Sequence, residues 1–582
     1  MFGPALLISA IPQKVRDFHG SSSLADCYRR LRKVTWVDSI MPLTPVTADE
    51  KLTTAESAAS TLATEPAQPA VEVFAIHGAE PEVQAYAMAK YSRSSLSMKE
   101  SLREISSQKA EKFLNTFYFQ YGHRSIADLA HIVLAVEKLS ILAAIALADE
   151  TRWDGQERST RYQDFRKGGY FTPQFGDAGK SSQALYRETV DFLFAEYEAL
   201  SEQMFQHLMS RTPKPDDMKQ DAYERTLRAR AFDISRYLLP LATNTSLGEI
   251  VNARTLETQV SRLLSHTHAE VRHLGTLLKK AALEPAYNVN HESYRELVAK
   301  IRAVSPELGD RAAQELLKDV RVAPTLVKYA DPNNYEIETR RELNQAAAEF
   351  MKSAAIEQAD SVELLDDDPI EIELAATLLY EHCHYPYRQI REAVEAVGEV
   401  RRKEVINLGM KHRGKHDELL RAYSSGQRFR FDILMDIGGF RDMHRHRRCV
   451  QIIQDFTTQH GYDAPEELEA AGLASRYKAT MQRVAGAIAK MEQSKISDGG
   501  PLEEARESAQ YAIPLAFKKR TLFKMDFAEA LYISELRTTP AGHTSYRNVA
   551  YAMYEAVAEK HPSLAQYFRV HDVRQPVDLL KR

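Results

Sequence analysis

The chain has 582 residues, more than a single hydrophobic core normally serves, so its length predicts two or more domains. Apolar residues make up 44% of the sequence and charged residues 27%, proportions that are ordinary for a globular protein in water. The formal net charge of −5 excludes the general positive field of a nucleic-acid-binding protein. No apolar run approaches the roughly 20 residues that a membrane-spanning helix needs.

The amino-terminal 20 residues and the cysteines indicate the cellular compartment in which the protein is expected. The first stretch is partly apolar, but it lacks a basic start and a convincing cleavage site, so we do not interpret it as a signal peptide. Cys27, Cys383 and Cys449 are odd in number and widely separated, which argues against a disulfide framework or a cysteine-based zinc site. We therefore expect a cytoplasmic protein.

The first half of the chain begins with an extension. Residues 1–70 include a segment, Thr47 to Pro69, that is rich in Ala, Thr, Glu and Pro and has no hydrophobic periodicity, which predicts a flexible or poorly ordered extension. A first domain over 71–330 opens with a short strand pattern and continues with mostly helical patterns. Its apolar run from Ala130 to Ala148 fits either a strand or a buried helix, and Thr255 to Ala282 predicts one long helix.

The second half repeats the order of the first. A DPNN turn signal at 331–334 opens a connection over 331–359, and a second domain follows over 360–582. An extended run, a charged stretch, a Leu-Pro or Ile-Pro segment and a long helix occur in the same order in both domains. The sequence therefore predicts an α+β fold of two tandem copies, each with helices packed on a small mixed β-sheet.

The stretch from Asp149 to Phe165, DETRWDGQERSTRYQDF, combines a carboxylate, a hydroxyl and a guanidinium at Glu157, Ser159 and Arg161. Alternate residues of an extended segment point to the same side, so these three side chains are expected to face one direction. A serine and an arginine together suit a phosphate, because both donate hydrogen bonds and the arginine adds charge. The simpler interpretation is a surface loop with an ordinary ion pair between Glu157 and Arg161.

The stretch from Gly439 to Cys449, GFRDMHRHRRC, is densely cationic, through Arg441, His444, Arg445, His446, Arg447 and Arg448. Such a patch could bind nucleic acid, line an anion-binding cleft or lie in solvent. Its flanks are apolar, which favours the cleft. No carboxylate or cysteine spacing accompanies the histidines, so we expect no metal, and the His-Cys-His at 382–384 is interpreted as incidental.

These stretches resemble two parts of one signature, that of the flavin-dependent thymidylate synthases (ThyX). The signature reads Arg-His-Arg, two residues, Ser, one residue, Asn-Glu, one residue, Ser, one residue, Arg-Tyr. The first domain keeps its second part as Glu157, Ser159, Arg161 and Tyr162, but has an Asp-Glu-Thr at 149–151 in place of Arg-His-Arg.

The second domain shows the opposite loss. It keeps Arg445, His446 and Arg447, but other residues stand where Glu, Ser and Arg would follow, namely Ile453, Asp455 and Thr457. The two halves of the signature are therefore complementary.

Further landmarks of the family follow in the same order. A nucleotide-binding arginine ahead of a Leu-Pro segment is matched by Arg236, and an Asn-x-Arg helix start by Asn252 and Arg254. A uracil-facing arginine is similar to Arg537, and its counterpart in the first domain is Arg262. Flavin-contacting elements resemble positions of the first domain at Ser92, His123 and Ser125. The resemblance covers most of residues 72–320 and 360–575.

Some positions depart from the family. In the second domain Gln510 stands at the place of Arg236, and Asp526 at that of Asn252. The family's Gln before Arg-His-Arg is Asp442, a carboxylate that would be unfavourable near a phosphate unless it pairs with an arginine.

The resemblance implies one composite site, because in this family neighbouring subunits of a tetramer share each site. A homodimer of the fused chains would correspond to that tetramer. The implied reaction is the reductive methylation of dUMP to dTMP with FAD, NADPH and methylenetetrahydrofolate. No enzymatic nucleophile is needed, and the protein orients the reactants and stabilises charge.

The resemblance also assigns roles to residues. Arg537 and Arg445 are the catalytic candidates, since Arg537 would polarise the uracil and Arg445 would bridge flavin and base. The dUMP-binding candidates are Glu157, Ser159, Arg161, Arg236 and Arg537. The FAD-binding candidates are Arg445, His446, Arg447, His123, Ser125, Ser92, Asn252 and Arg254. The competing hypotheses are an inactive or substrate-altered paralogue with a structural or regulatory role, and nucleic-acid binding through 441–448.

Overall fold

A computed structural model describes the chain over a defined set of residues, namely 78–90, 100, 102, 114, 124–165, 168–175, 180–365, 370–414, 420–423, 429–497, 502–566 and 568–580. The predicted extension, Ser92 and His123 lie outside the described residues. Residues 76–582 form one compact unit.

The first half is built from three strands and eight helices in the described residues. The strands are β1 (His131–Ser140), β2 (Trp153–Glu157) and β3 (Asn244–Asn252). The helices are α1 (Pro81–Lys90), α2 (Ile141–Ala148), α3 (Lys180–Arg211), α4 (Gln220–Ser235), α5 (Ala253–Leu264), α6 (Ala269–Leu283), α7 (His291–Val304) and α8 (Pro306–Leu316). Short 3-10 helices cover Arg124–Leu129 and Arg236–Leu238.

The connection and the second half together add four strands to the described fold. The strands are β4 (Val362–Leu364), β5 (Phe429–Asp436), β6 (Val450–Ile453) and β7 (Lys518–Met525). The helices are α9 (Asn334–Phe350), α10 (Ile370–Tyr380), α11 (Tyr387–Ala396), α12 (Gly398–Lys411), α13 (Ile437–Met443), α14 (Glu467–Ala470), α15 (Ala474–Ser497), α16 (Leu502–Gln510), α17 (Phe527–Arg537), α18 (Thr544–Lys560) and α19 (Pro562–Ala565). A 3-10 helix covers Arg421–Tyr423.

The two sheets share one topology. The first has the order β1-β3-β2 and the second the order β4-β5-β7-β6, so β3 and β7 each lie between the two strands that precede them. The α+β fold predicted from the sequence is confirmed, but every described strand pair is antiparallel, not mixed as expected. The reason is that β1 and β2 run in the same direction but never pair, because β3 separates them.

Capping residues explain where the repeated helices begin. Ser140 and Asp436 cap α2 and α13, and Asn252 and Asp526 cap α5 and α17. In each case the side-chain oxygen accepts a hydrogen bond from the backbone N–H three residues further on, which satisfies a donor that the helix leaves unpaired. The four caps mark equivalent strand-to-helix turns in the two halves.

These caps also decide between the two interpretations of the long apolar run. Residues 131–140 form a strand and 141–148 a helix, so both were partly right, and Ser140 marks the change. The single helix predicted from Thr255 to Ala282 is wrong, since two helices, α5 and α6, occupy that stretch. His268, in the break between them, precedes the first residue of α6.

The two halves meet through their Leu-Pro and Ile-Pro segments. Leu241 N donates to the Ile513 carbonyl at 2.9 Å, and Leu515 N donates to the Leu239 carbonyl at 3.0 Å. The reciprocal pattern is that of an antiparallel bridge with a local two-fold relation. It joins the repeats directly through backbone hydrogen bonds.

A continuous hydrophobic core spans both halves, and it includes Leu239 and Leu241 of the first and Ile513 and Leu515 of the second. A smaller core lies among α9–α12 and reaches the second sheet at Ile452 and Leu522. Among the described residues, no helix combines the length and the apolar composition that crossing a membrane requires.

A buried lysine lies on β7 in this core. Lys519 is 1% exposed, and its Nζ lies 3.9 Å from the ring centroid of Phe456 and 4.7 Å from that of Phe440. Burial lowers the pKa of Lys519 from 10.5 to about 7, although Asp455 and Asp149 oppose the shift.

We expect the stability difference between the wild type and Lys519→Met to depend on pH. Between pH 7 and 10 the unfolded lysine holds its proton while the folded one has lost it, so the wild type gains free energy of unfolding as pH rises. Urea unfolding of both proteins at several pH values measures this difference. Parallel pH profiles for wild type and variant would contradict the buried, neutral lysine.

Candidate functional site

The Glu157–Arg161 stretch of the first half lies against the cationic stretch of the second. The carboxylate of Glu157 accepts a hydrogen bond from Arg441, and Thr160 Oγ1 lies 3.4 Å from Nη1 of the same arginine. Arg447 donates to Asp154 Oδ1 at 2.8 Å and to the Trp153 carbonyl, with its guanidinium over the Trp153 ring. The two parts of the divided signature are therefore neighbours in one molecule.

The loop from Glu157 to Arg161 does not contain the ion pair between these two residues that the simpler interpretation predicted. Glu157 pairs with Arg441 and not with Arg161, which is 8% exposed and points into the protein. The extended alternation ends at Ser159, because Gln163 N donates to the Ser159 carbonyl at 3.1 Å and closes a turn. Ser159 is half-buried, and its hydroxyl accepts from Arg161 N at 3.3 Å.

A buried carboxylate, Asp233, organises the arginines of the first half. Its two oxygens accept from Nε and Nη2 of Arg161 at 2.9 and 3.2 Å, and Nε of Arg236 lies 3.5 Å away. His543 of the second half places Nδ1 3.2 Å from the same carboxylate. Burial would raise the pKa of Asp233, but His543, Arg236 and Arg161 hold it well below its ordinary value.

Arg236 connects this carboxylate to the second half. It is 2% exposed, and its Nη1 lies 3.5 Å from Asp442 Oδ2. Asp442, the residue expected to oppose an anion, is thus paired with an arginine, and Arg236 and Arg161 lower its pKa against the effect of burial. Nη2 of Arg236 is buried and has no hydrogen-bond partner among the described residues. Such a donor is costly unless a ligand or water satisfies it.

The arginines of the second half complete the cluster. Arg537, at the end of α17, donates from Nε to His446 Nε2 at 2.8 Å and lies 5.6 Å from the Tyr546 ring centroid. The Tyr546 hydroxyl accepts from Arg161 Nη1 at 2.9 Å, so Arg161 and Arg537 both lie next to this side chain. Arg445 is exposed, and its charge acts on both Asp442 and Arg537.

The flavin-binding candidates of the first half lie at one end of its sheet. Asn252 caps α5, and Arg254 donates to Asp128 Oδ2 at 3.2 Å. Val251, beside Asn252, pairs with Trp153, the residue that Arg447 contacts from the second half. Ser125 is exposed in the 3-10 helix that packs on α5. These residues and Arg447 therefore approach the same end of β2 and β3.

Sequence reasoning missed four residues of this site, namely Asp233, His543, Tyr546 and Glu529, whose Oε1 lies 3.3 Å from His446 Nδ1. One of them gave a local signal. Asp233 comes three residues before Arg236 on the same helical stretch, a spacing that favours an ion pair. His543 directly precedes α18 and Tyr546 lies in its first turn, and only the tertiary fold brings His543 to Asp233 and Tyr546 to Arg161.

In the described part of the chain, no group of three or more His, Cys, Asp or Glu side chains is placed to hold a metal ion. In the His-Cys-His at 382–384, His382 Nδ1 contacts Asn344 Oδ1 at 2.7 Å, and the rings of His384 and His460 lie 6.2 Å apart.

A cavity of about 690 Å³ is lined by residues of the first half that correspond in sequence to residues of the arginine cluster. Its lining includes Asp149–Thr151, which stand where the second half has Arg445–Arg447, and Arg262, the counterpart of Arg537. Six carboxylates and three arginines line it, namely Asp149, Glu150, Glu257, Asp331, Glu336, Glu381, Arg262, Arg340 and Arg421. The charge of this cavity is therefore opposite to that of the arginine cluster.

The chain is similar to known proteins over most of its length. The UPF0159 protein of Chlamydia pneumoniae is 28% identical over 545 residues, which cover 86% of this chain and 92% of that protein. The flavin-dependent thymidylate synthase of Clostridium tetani is 25% identical over 176 residues, 30% of this chain and 67% of that enzyme. Solved flavin-dependent thymidylate synthase ThyX of Helicobacter pylori, complexed with FAD and dUMP, covers 37% of this chain and 93% of its own at 15% identity, with a TM-score of 0.24.

A family model matches the chain twice. The Thy1 model, described as thymidylate synthase complementing protein, matches residues 75–286 and again residues 362–563. The resemblance and the tandem duplication inferred from the sequence are thus confirmed. The chain belongs to the Thy1 (ThyX) family and carries two copies of its domain.

Proposed function

We propose that this protein is a flavin-dependent thymidylate synthase with one composite site for each chain. The observation that carries the proposal is the contact of Glu157 with Arg441 and of Asp154 with Arg447, which unites the two parts of the signature. The first half would bind the nucleotide phosphate, the second would bind the base, and residues of both halves would bind the flavin.

The phosphate of dUMP suits the arginines around Asp233. Arg236 has an unsatisfied buried Nη2, and Arg161 is held by Asp233 in a fixed orientation. A fixed guanidinium binds a phosphate at a smaller entropic cost than a mobile one. Ser159 would add a hydroxyl donor, and Glu157 would keep Arg441 in place.

The residues present also fit an anionic flavin nucleotide. Arg445 is exposed beside Asp442 and Arg537, and Arg447 and Arg254 approach the same end of the first sheet. We propose that these arginines, with Asn252 and Ser125, hold FAD, which would supply hydride. NADPH and methylenetetrahydrofolate would serve as the cosubstrates.

Arg537 is the residue proposed to act on the base. Its guanidinium is a permanent donor, and burial lowers its pKa while Asp442 and Tyr546 oppose that shift. A donor fixed in a partly buried place stabilises negative charge that develops on a uracil carbonyl. Arg445, close to the same charges, would lie between base and flavin.

The first test is direct. Purified full-length protein should show the visible absorbance of oxidised flavin, alone or after loading with FAD, and should release tritium from [5-³H]dUMP when both cosubstrates are supplied. The release follows because the new bond forms at the carbon that carried the tritium. Protein that takes up no FAD and releases no tritium rules the proposal out.

The pair Arg537→Gln and Arg262→Gln tests the assignment of the base-facing arginine. We expect kcat/KM to fall about 100-fold or more in Arg537→Gln, in line with the loss of a donor to developing charge. Arg262 occupies the equivalent place in the acidic cavity, so Arg262→Gln should keep a near-normal kcat/KM. Equal losses of kcat/KM in the two variants would contradict the assignment of the base-facing role to Arg537 alone.

The acidic charge of the cavity predicts how many dUMP molecules each chain binds. An acidic cavity repels a nucleotide monophosphate, so calorimetric titration with dUMP should saturate at one molecule for each chain. Light scattering on the same sample would show whether the chain forms the proposed homodimer. Saturation at two dUMP molecules for each chain would show that the acidic cavity also binds the nucleotide.

A non-catalytic role is the second candidate, and one observation favours it. Three groups already engage the Arg161 guanidinium, namely Asp233, Tyr546 and the Ala541 carbonyl, so it is a less available phosphate ligand than Arg236. A protein that binds dUMP tightly but releases no tritium would support this alternative.

A further inference from the structure

We propose that Glu529 is a positioning residue that orients Arg537 through His446. The proposal rests on the function assigned to Arg537, but the link itself is a property of the protein. It adds a residue that the family signature does not contain.

The three side chains form a continuous series of contacts. His446 Nε2 accepts from Arg537 Nε at 2.8 Å, and His446 Nδ1 lies 3.3 Å from Glu529 Oε1. Glu529 is 3% exposed and His446 is 5% exposed, so neither contact competes with bulk water. Both ring nitrogens face protein groups, which leaves neither of them for a cofactor phosphate.

The arrangement selects one tautomer of the imidazole. Arg537 can only donate, so Nε2 must be the unprotonated nitrogen and the proton must be on Nδ1. Nδ1 faces Glu529, whose carboxylate can only accept when ionised. A carboxylate that fixes the tautomer of a histidine in this way also fixes the partner on its other side.

The local structure explains why a bridge is needed. Glu529 lies in the first turn of α17, where its backbone N–H donates to the capping Asp526 at 2.8 Å. Arg537 ends the same helix, about 12 Å away along the axis at 1.5 Å for each residue. That separation is too great for a hydrogen bond, and His446 spans it from the second half's cationic stretch.

Other groups around the imidazole define how it titrates. Tyr532 of α17 packs edge-on against the ring at 5.8 Å, Arg448 lies 3.9 Å from Glu529, and the Cys449 thiol donates to the His446 carbonyl. Burial lowers the pKa of His446, and Glu529 opposes that shift while Arg537 adds to it. The link is therefore intact at neutral pH, and acid protonates Nε2 and breaks it.

The deciding experiment measures the tautomer and the pKa of His446 in the absence of substrate. Proteins with ¹⁵N-labelled histidine are compared by NMR, with the His446 signals assigned by their loss in His446→Gln. We expect the wild type to show a proton on Nδ1 and an unprotonated Nε2. Glu529→Ala should give a mixture of tautomers, whereas Glu529→Gln should keep the tautomer, through its amide oxygen, and lower the pKa of His446.

A matched control uses the same helix. Glu535 accepts a backbone hydrogen bond from Arg569 and has no described contact with His446, so Glu535→Gln should leave the His446 signals and pKa unchanged. If Glu529→Gln shifts neither the pKa nor the tautomer of His446 relative to Glu535→Gln, the proposal is overturned. The conservative variant keeps this comparison available even if Glu529→Ala fails to fold.

A second measurement connects the link to the nucleotide. We expect Glu529→Ala to weaken dUMP binding about tenfold, the value of one well-placed hydrogen bond, and Glu529→Gln to weaken it less at pH 8. Wild-type protein that binds no dUMP at all would defeat the proposed function, while the NMR result would still decide the link. An affinity unchanged by Glu529→Ala would refute the role in orienting Arg537 for the base.

Discussion

The backbone bridge between the two Leu-Pro-like segments is the constraint on which the site depends. Leu239 and Leu515 pair across the two halves, and the Leu515 carbonyl also accepts from Gly438 N in the first turn of α13 at 3.1 Å. Arg236 directly precedes the first segment, and Asp442 lies near the end of α13. One chain of backbone hydrogen bonds therefore fixes the distance between charged groups that come from opposite halves.

Carboxylates make the arginine cluster compatible with a folded protein. Buried like charges destabilise one another unless opposite charges and hydrogen bonds compensate them. Asp233, Asp442, Glu157 and Glu529 provide this compensation, and each contacts a defined cation or imidazole. Compensation also orients the cations, so the same contacts that permit burial fix the guanidinium groups for an anionic ligand.

The two copies keep their architecture while their chemistry diverges. Ser140 bonds to Glu270 at one helix start, and Asp436 bonds to Ser545 at the equivalent start in the second half, with hydroxyl and carboxylate exchanged. The exchange preserves the contact, because the serine hydroxyl donates to the carboxylate from either position. At the cavity, by contrast, Asp149–Thr151 stand where the second half has its cationic triplet, so the sign of the charge differs between the two copies.

The sequence by itself determined the duplication, the family and the complementary loss of signature residues, because these depend on residue identity and order. Capping residues such as Ser140 and Asn252 also encoded the strand-to-helix turns. The apolar run around Ser140, however, did not distinguish a strand from a buried helix. Only the tertiary structure decided that Arg161 pairs with Asp233 and that Glu529 reaches His446. Such contacts depend on how two halves dock, and no local pattern records the orientation of one half against the other.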